Sequence, residues 1–183
     1  MSDPRTGHVA AIIIAGGAGT RMGGVDKPGL ALAGSTLRDR AIAAARNAGL
    51  APVVHVGQET GGGPTAALAA GLALLDAHEV VVLAGDLVRP GAVVAALGCA
   101  RGGPDGLVLV DPAGREQWLA GRYRVAALRD ALAALPDGPG GAPLRAVTGR
   151  LDLARVAVAA EVIADVDTWD DYDAAKRATP SPD

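Results

Sequence analysis

The sequence predicts an α/β domain, a mostly parallel sheet with helices on both faces. Two observations lead there. Five short, largely apolar runs, at 9–14, 52–56, 79–84, 106–111 and 154–158, alternate with longer Ala/Leu-rich stretches at helical spacing. Runs apolar nearly throughout, rather than at every second position, are the mark of strands buried on both faces. Strands that alternate with helices pair through parallel crossovers. A third observation is positional: a glycine-rich loop follows the first run and Asp86 follows the third. Ligands of parallel sheets bind outside the carboxyl ends of the strands, so two different chemical groups arrive at one edge.

The elements can be justified in order. After the first strand and its loop, Leu37, Ala41, Ala44, Ala45 and Ala48 recur at helical spacing, with Ser35 or Thr36 as N-cap and Gly49 as C-cap. Pro64 opens a second helix, with Leu68, Leu72 and Leu75 on one face. Val93, Val94 and Leu97 mark a third helix, and residues 125–135 a fourth. Residues 136–143, rich in Pro and Gly, read as a flexible surface loop, because too little chain follows to build a second core. The expected organisation is a flexible start over 1–8, one domain over 9–177 and a disordered tail over 178–183.

Composition excludes several function classes. A net charge of −3 leaves no basic footprint for nucleic acid. With no Phe, and only Trp118, Trp169, Tyr123 and Tyr172 as aromatics, there is no stacking platform for single strands. The core must be built of Ala, Val and Leu. One cysteine, Cys99, forms no internal disulfide and sits in an apolar helical stretch, so it reads as a small core residue and fits a reducing compartment. His8, His55 and His78 are scattered and make no zinc site. No signal-like segment and no uninterrupted membrane-length apolar run is visible. A cytoplasmic enzyme with no membrane or nucleic-acid partner is expected.

The loop after the first strand carries most of the information. Its glycines, among them Gly16, Gly17 and Gly19, let backbone approach a ligand closely, while Arg21 and Lys27 bring two cations to the same place. That is a phosphate site in outline. No Gly-Lys-Ser/Thr closes the loop as in a P-loop, and Met22 stands where a dinucleotide fingerprint starting at Gly17 needs its third glycine. Asp86 ends an apolar strand, where an acid gains nothing from packing; it is a metal ligand or a turn residue ahead of Pro90. Asp165 and Asp167 point to one side of an extended segment, as metal ligands or as caps of the last helix.

Taken together, Gly16-Gly17, Arg21-Met22-Gly23, Asp26-Lys27, the Gly85-Asp86 strand end and the late Asp165-Val166-Asp167-Thr168 segment resemble nucleotidyltransferases of the molybdenum cofactor guanylyltransferase type, the MobA-like family. The matching stretches run from about residue 9 to 176. The resemblance implies a Rossmann-like three-layer sandwich and Mg²⁺-dependent transfer of GMP from GTP to the phosphate of molybdopterin. It implies catalytic roles for Arg21 and Lys27, oriented by Asp26. Ala15, Gly16, Gly17, Gly19, Gly63, Pro64 and Asp86 would contact the nucleotide, and Asp86, Asp165 and Asp167 the metal. Residues 61–65 resemble the family's Gly-Pro turn into a base-contacting helix. Residues 115–124 resemble its stretch near the acceptor pocket, which makes Gln117 and Arg122 candidate acceptor ligands; the competing reading is a core Trp118 with solvated arginines. Between Val56 and the 61–63 glycines the chain is shorter than relatives usually are, with Glu59 as its acid. Carboxylates in the late motif, where guanylyl-transferring relatives often carry Asn, leave a cytidylyltransferase using CTP open. The shortened segment around Glu59 leaves open a catalytically silent nucleotide-binding module that docks on a molybdoenzyme or cofactor-assembly protein.

Overall fold

Residues 8–15, 22–57 and 61–179 are described by the computed structural model. Strand β1 (Val9–Ala15) leads, through a short 3₁₀ turn at Lys27–Gly29, into a small hairpin of β2 (Ala31–Leu32) and β3 (Ser35–Thr36), then α1 (Leu37–Asn47). Next come β4 (Val53–Gly57), α2 (Gly63–Ala73), β5 (Glu79–Ala84), α3 (Pro90–Cys99), β6 (Gly106–Val110) and β7 (Glu116–Arg124). The chain closes with α4 (Val125–Ala133), α5 (Arg145–Thr148), β8 (Leu153–Ala157) and α6 (Trp169–Ala178). The six-stranded sheet has the order β4-β1-β5-β7-β6-β8. Pairing is parallel for β1 with β4 and β5 and for β6 with β8, whereas β7 is antiparallel to both its neighbours.

The alternation of β1 explains the layers. Ala10, Ile12 and Ile14 pack with Val80, Val82, Leu68, Leu72 and Leu128 on one face, under α2 and α4. Ala11 and Ile13 pack with Val81, Leu83, Ala41, Val93 and Leu97 on the other, under α1 and α3. A third cluster of Met22, Leu32, Leu37, Val88, Val166 and Ala175 ties the hairpin, the exit of β5 and α6 into one body beneath the carboxyl edge of the sheet. The caps are local: Thr36, rather than Ser35, accepts the Asp39 N–H at 3.0 Å to start α1, and Pro64 stands in the first turn of α2. Among the described residues no helix is long and apolar enough to cross a membrane.

Two expectations are corrected, and one strand is added. Residues 116–124, read from sequence only as a stretch near an acceptor pocket, form a central strand. A register shift near Val108/Leu109 breaks the two-residue period that would have betrayed this strand. Cys99 is exposed, not core: two residues past buried Leu97 it has turned some 200° around α3, away from the sheet. The glycine-rich loop over 136–143 is tied down. Gly141 N–H donates to the Gly62 carbonyl at 2.8 Å, and Thr65 Oγ1 donates to the Ala142 carbonyl at 2.7 Å. The termini outside 8–179, where flexibility is expected, fall outside the described residues.

The irregularity in β7 is stabilised from within. Tyr123, 1% exposed, donates its hydroxyl to the Trp118 carbonyl at 2.8 Å, and burial raises its pKa far above the ordinary phenol value. Tyr123→Phe should therefore remove the bond to a half-buried carbonyl and cost about 1–2 kcal/mol of stability, measured by urea denaturation. An unchanged midpoint would show that the irregularity does not depend on this bond.

Candidate active site

β5 leaves the sheet through Gly85, whose N–H donates to the Ile14 carbonyl at 2.9 Å. A Cβ there would stand 2.9 Å from the Ala15 side chain and 3.0 Å from its Cα. Only glycine lets the chain cross so close to the end of β1, and that crossing sets Asp86 beside the carboxyl end of β1. The segment after Asp86 then pairs with the late acidic segment: Val88 N–H donates to the Ala164 carbonyl at 2.9 Å, and Val166 N–H to the Asp86 carbonyl at 3.1 Å. Leu87 and Asp165 form an antiparallel bridge. Val166 is fully buried in the third core cluster, so Asp165 and Asp167 project to the opposite side of this strand.

The geometry therefore brings Lys27, Asp86, Asp165 and Asp167 to one place. Lys27 Nζ lies 2.6 Å from Asp167 Oδ1, with 12% of the lysine side chain exposed. Withdrawal from water, and next the Asp165 charge, pushes the Asp86 pKa up to about 6; Lys27 acts in the other direction. Asp165 is also raised, first by burial and then by Asp167. Two hard carboxylates whose ionisation is disfavoured are a donor set suited to a divalent cation, and Mg²⁺ needs only one or two beside phosphate oxygens and water. Asp167 is turned onto Lys27, and among the described residues no group of three acidic, His or Cys side chains is arranged to hold a metal.

The facing wall is the β6–β7 turn. Asp111 Oδ1 accepts N–H groups from Ala113 and Arg115, both at 2.9 Å, while Oδ2 accepts Arg115 Nε at 2.8 Å and Gln117 Nε2 at 3.3 Å. These bonds, the Arg115 backbone N–H foremost, hold its pKa below the ordinary value. Gln117 lines two neighbouring cavities of about 600 and 290 Å³, both of which Asp165 also lines. Glu116 lines both as well; it accepts Trp118 Nε1 at 2.9 Å and Arg155 Nε at 2.6 Å. The sequence reading passed over Glu116 and Asp111, although an Asp before Pro112 at a strand end is a turn signal.

Arg122 is elsewhere. It pairs in register with Val81 and Leu107, donates Nη2 to the Ala100 carbonyl at 3.2 Å and lies 3.9 Å from Glu79. Because β7 runs against its neighbours, its start reaches the carboxyl edge and Arg122 is carried to the amino edge. Arg122 is thus a structural cation, not an acceptor ligand. Gly63 and Pro64 do open α2 at the carboxyl edge, preceded by Gly62 at φ +69°. A Cβ on Gly62 would stand 3.2 Å from Gly140 Cα. Gly16, Gly17, Gly19, Arg21 and Glu59 lie outside the described residues.

A lysine and paired aspartates gathered at the carboxyl edge of such a sheet place the protein among the nucleotidyltransferases. The model of the MobA-like NTP transferase domain matches residues 11–156, and the chain belongs to that family. It is 34% identical, over 96% of its length and 98% of the relative's, to a molybdenum cofactor guanylyltransferase of Acidiphilium cryptum (strain JF-5). Its fold is shared with molybdopterin-guanine dinucleotide biosynthesis protein A of Archaeoglobus fulgidus (TM-score 0.61, 19% identity, 92% of this chain and 97% of that one). It is shared equally with 2-C-methyl-D-erythritol 4-phosphate cytidylyltransferase of Thermus thermophilus (TM-score 0.59, 18% identity, 91% and 96%).

The Asp86 environment has a measurable cost. Its folded pKa lies above the unfolded one, so its contribution to stability is fully present below about pH 4 and is lost as pH rises through about 6. In metal-depleted buffer Asp86→Asn should leave stability unchanged at pH 4 and raise it by up to about 3 kcal/mol at pH 8. Thermal denaturation across that range checks this; a gain that is the same at both pH values would contradict it.

Proposed function

We propose that this protein transfers GMP from GTP to the terminal phosphate of molybdopterin with the help of Mg²⁺ and releases pyrophosphate. The observation that carries the reading is the convergence of Lys27, bridged by Asp167, with the Asp86–Asp165 pair at one sheet edge. The identity to a guanylyltransferase over nearly the full length of both chains supports the choice of GTP and of a molybdopterin acceptor.

The acceptor phosphate is already an anion at neutral pH, so its attack on the α-phosphorus needs no strong base; alignment and charge neutralisation carry the rate. Asp86 and Asp165 would hold the metal, which when bound supplies positive charge next to the phosphates. Lys27 donates from Nζ to the triphosphate, with Asp167 fixing the direction of its ammonium group. Arg21 adds a second cation. Asp111 accepts one N–H of the Gln117 side chain and so orients the amide at the rim of the two cavities, where an acceptor would lie. As part of the same reading, the reaction runs in the cytoplasm, without a membrane step.

Pyrophosphate release, measured with each of GTP, CTP, ATP and UTP with and without a molybdopterin acceptor, tests the reading. Acceptor-dependent release with GTP alone is expected. Release with CTP would move the protein to the cytidylyl branch, and binding without release would make it a silent module. Lys27→Ala should lower turnover about 100-fold or more, with little change in melting temperature, because the Asp167 side chain left behind is 44% exposed. Equal loss of turnover and stability would make Lys27 structural. Asp86→Ala should abolish the Mg²⁺-dependent rate.

A further inference from the structure

We propose that Asp171, on the first turn of α6, is a positioning residue that sets the metal-binding and lysine-bridging geometry of the segment before it. This rests on the nucleotidyl-transfer reading of the Asp86–Asp165 site. The charge of Asp171 reaches Asp165 and Lys27 across space, while its hydrogen bonds go to the backbone and to Thr168. Its Oδ2 accepts three bonds: Thr168 Oγ1 at 2.7 Å, Thr168 N–H at 2.8 Å and Asp167 N–H at 3.2 Å. Thr168 Oγ1 in turn accepts the Asp171 N–H at 3.2 Å.

An ordinary capping box joins the N-cap and the N3 residue, and Thr168 with Asp171 makes one. The bond to the Asp167 N–H lies one residue upstream of that box and has no role in capping. It fixes the backbone of the residue whose carboxylate holds Lys27, two positions after Asp165. The other end of the same segment is held by the backbone pairing with residues 86–88. Asp171 holds the end of the segment that enters α6, through the backbone N–H groups of Asp167 and Thr168.

The same turn of α6 reaches the lysine side of the site. Tyr172 donates its hydroxyl to the Ala31 carbonyl, four residues past Lys27. Lys176 Nζ stands 5.0 Å over the Tyr172 ring, and Ala175 packs in the cluster that holds Val166 and Leu32. Asp171 thus sits where the late acidic segment, the first-strand turn and α6 meet.

The test compares Asp171→Ala with Thr168→Ala. Both break the box, so both should lose a few degrees of melting temperature. Only the first releases the Asp167 N–H. Affinity for Mn²⁺ is read from loss of the aqueous Mn²⁺ electron paramagnetic resonance signal, with a non-transferable α,β-methylene analogue of GTP bound. D171A should weaken it tenfold or more and T168A less than threefold. D171N, whose amide oxygen accepts the same three bonds, should restore it to within threefold. D171S, which keeps one acceptor, repeats the comparison if D171A folds poorly. Wild-type protein that takes up Mn²⁺, with D171A and T168A indistinguishable, overturns this assignment alone. Wild-type protein that takes up none overturns it together with the reading of the site.

Discussion

The pairing of residues 86–88 with 164–166 is the constraint on which the rest depends. It places two carboxylates together at the end of a buried sheet, in an environment that resists their ionisation. A fold tolerates such a pair when something else benefits from it. The surroundings are arranged accordingly: Gly85 permits the close crossing, Val166 anchors the late segment in the core, and Lys27 offers partial relief. These raised carboxylates lie at the carboxyl edge, while the two faces of the sheet are packed with small aliphatic side chains.

The antiparallel strand β7 decides which side chains share that edge. Had it run parallel, Glu116 and Gln117 would lie at the far end and Arg122 beside the carboxylates. Reversal gives the edge an amide and an acid, held by Asp111, Trp118 and Arg155, in place of an arginine. Tyr123 fills the irregularity in the middle of the strand and connects it to the core.

Much of this could be read from the residues. The parallel strands announced themselves because burial on both faces leaves continuous apolar runs. Lys27, Asp86 and Asp165 stood out because charged groups sat at glycine turns or strand ends where packing gives them nothing. What stayed hidden was information that does not repeat along the chain. β7 mixes polar and apolar residues and carries a register shift, so its period is lost; with it went the direction of the strand and the true place of Arg122. The exposure of Cys99 needed only a helical wheel, yet an apolar neighbourhood obscured it. The pairing of Lys27 was hidden too, because spacing alone does not say which of two acids a lysine 140 residues away will choose.

That separation also has a consequence for how the protein is made. Lys27 and Asp86 are made well before their partners Asp165 and Asp167. Until Asp165 has been made, a nascent chain has one acid of the pair and lacks their mutual repulsion. The sheet also remains open until β8 and the late segment arrive, and contacts so distant along the chain form slowly. The repulsion between Asp86 and Asp165 is thus met only after the strands that carry Lys27 and Asp86, and the core around them, have been made.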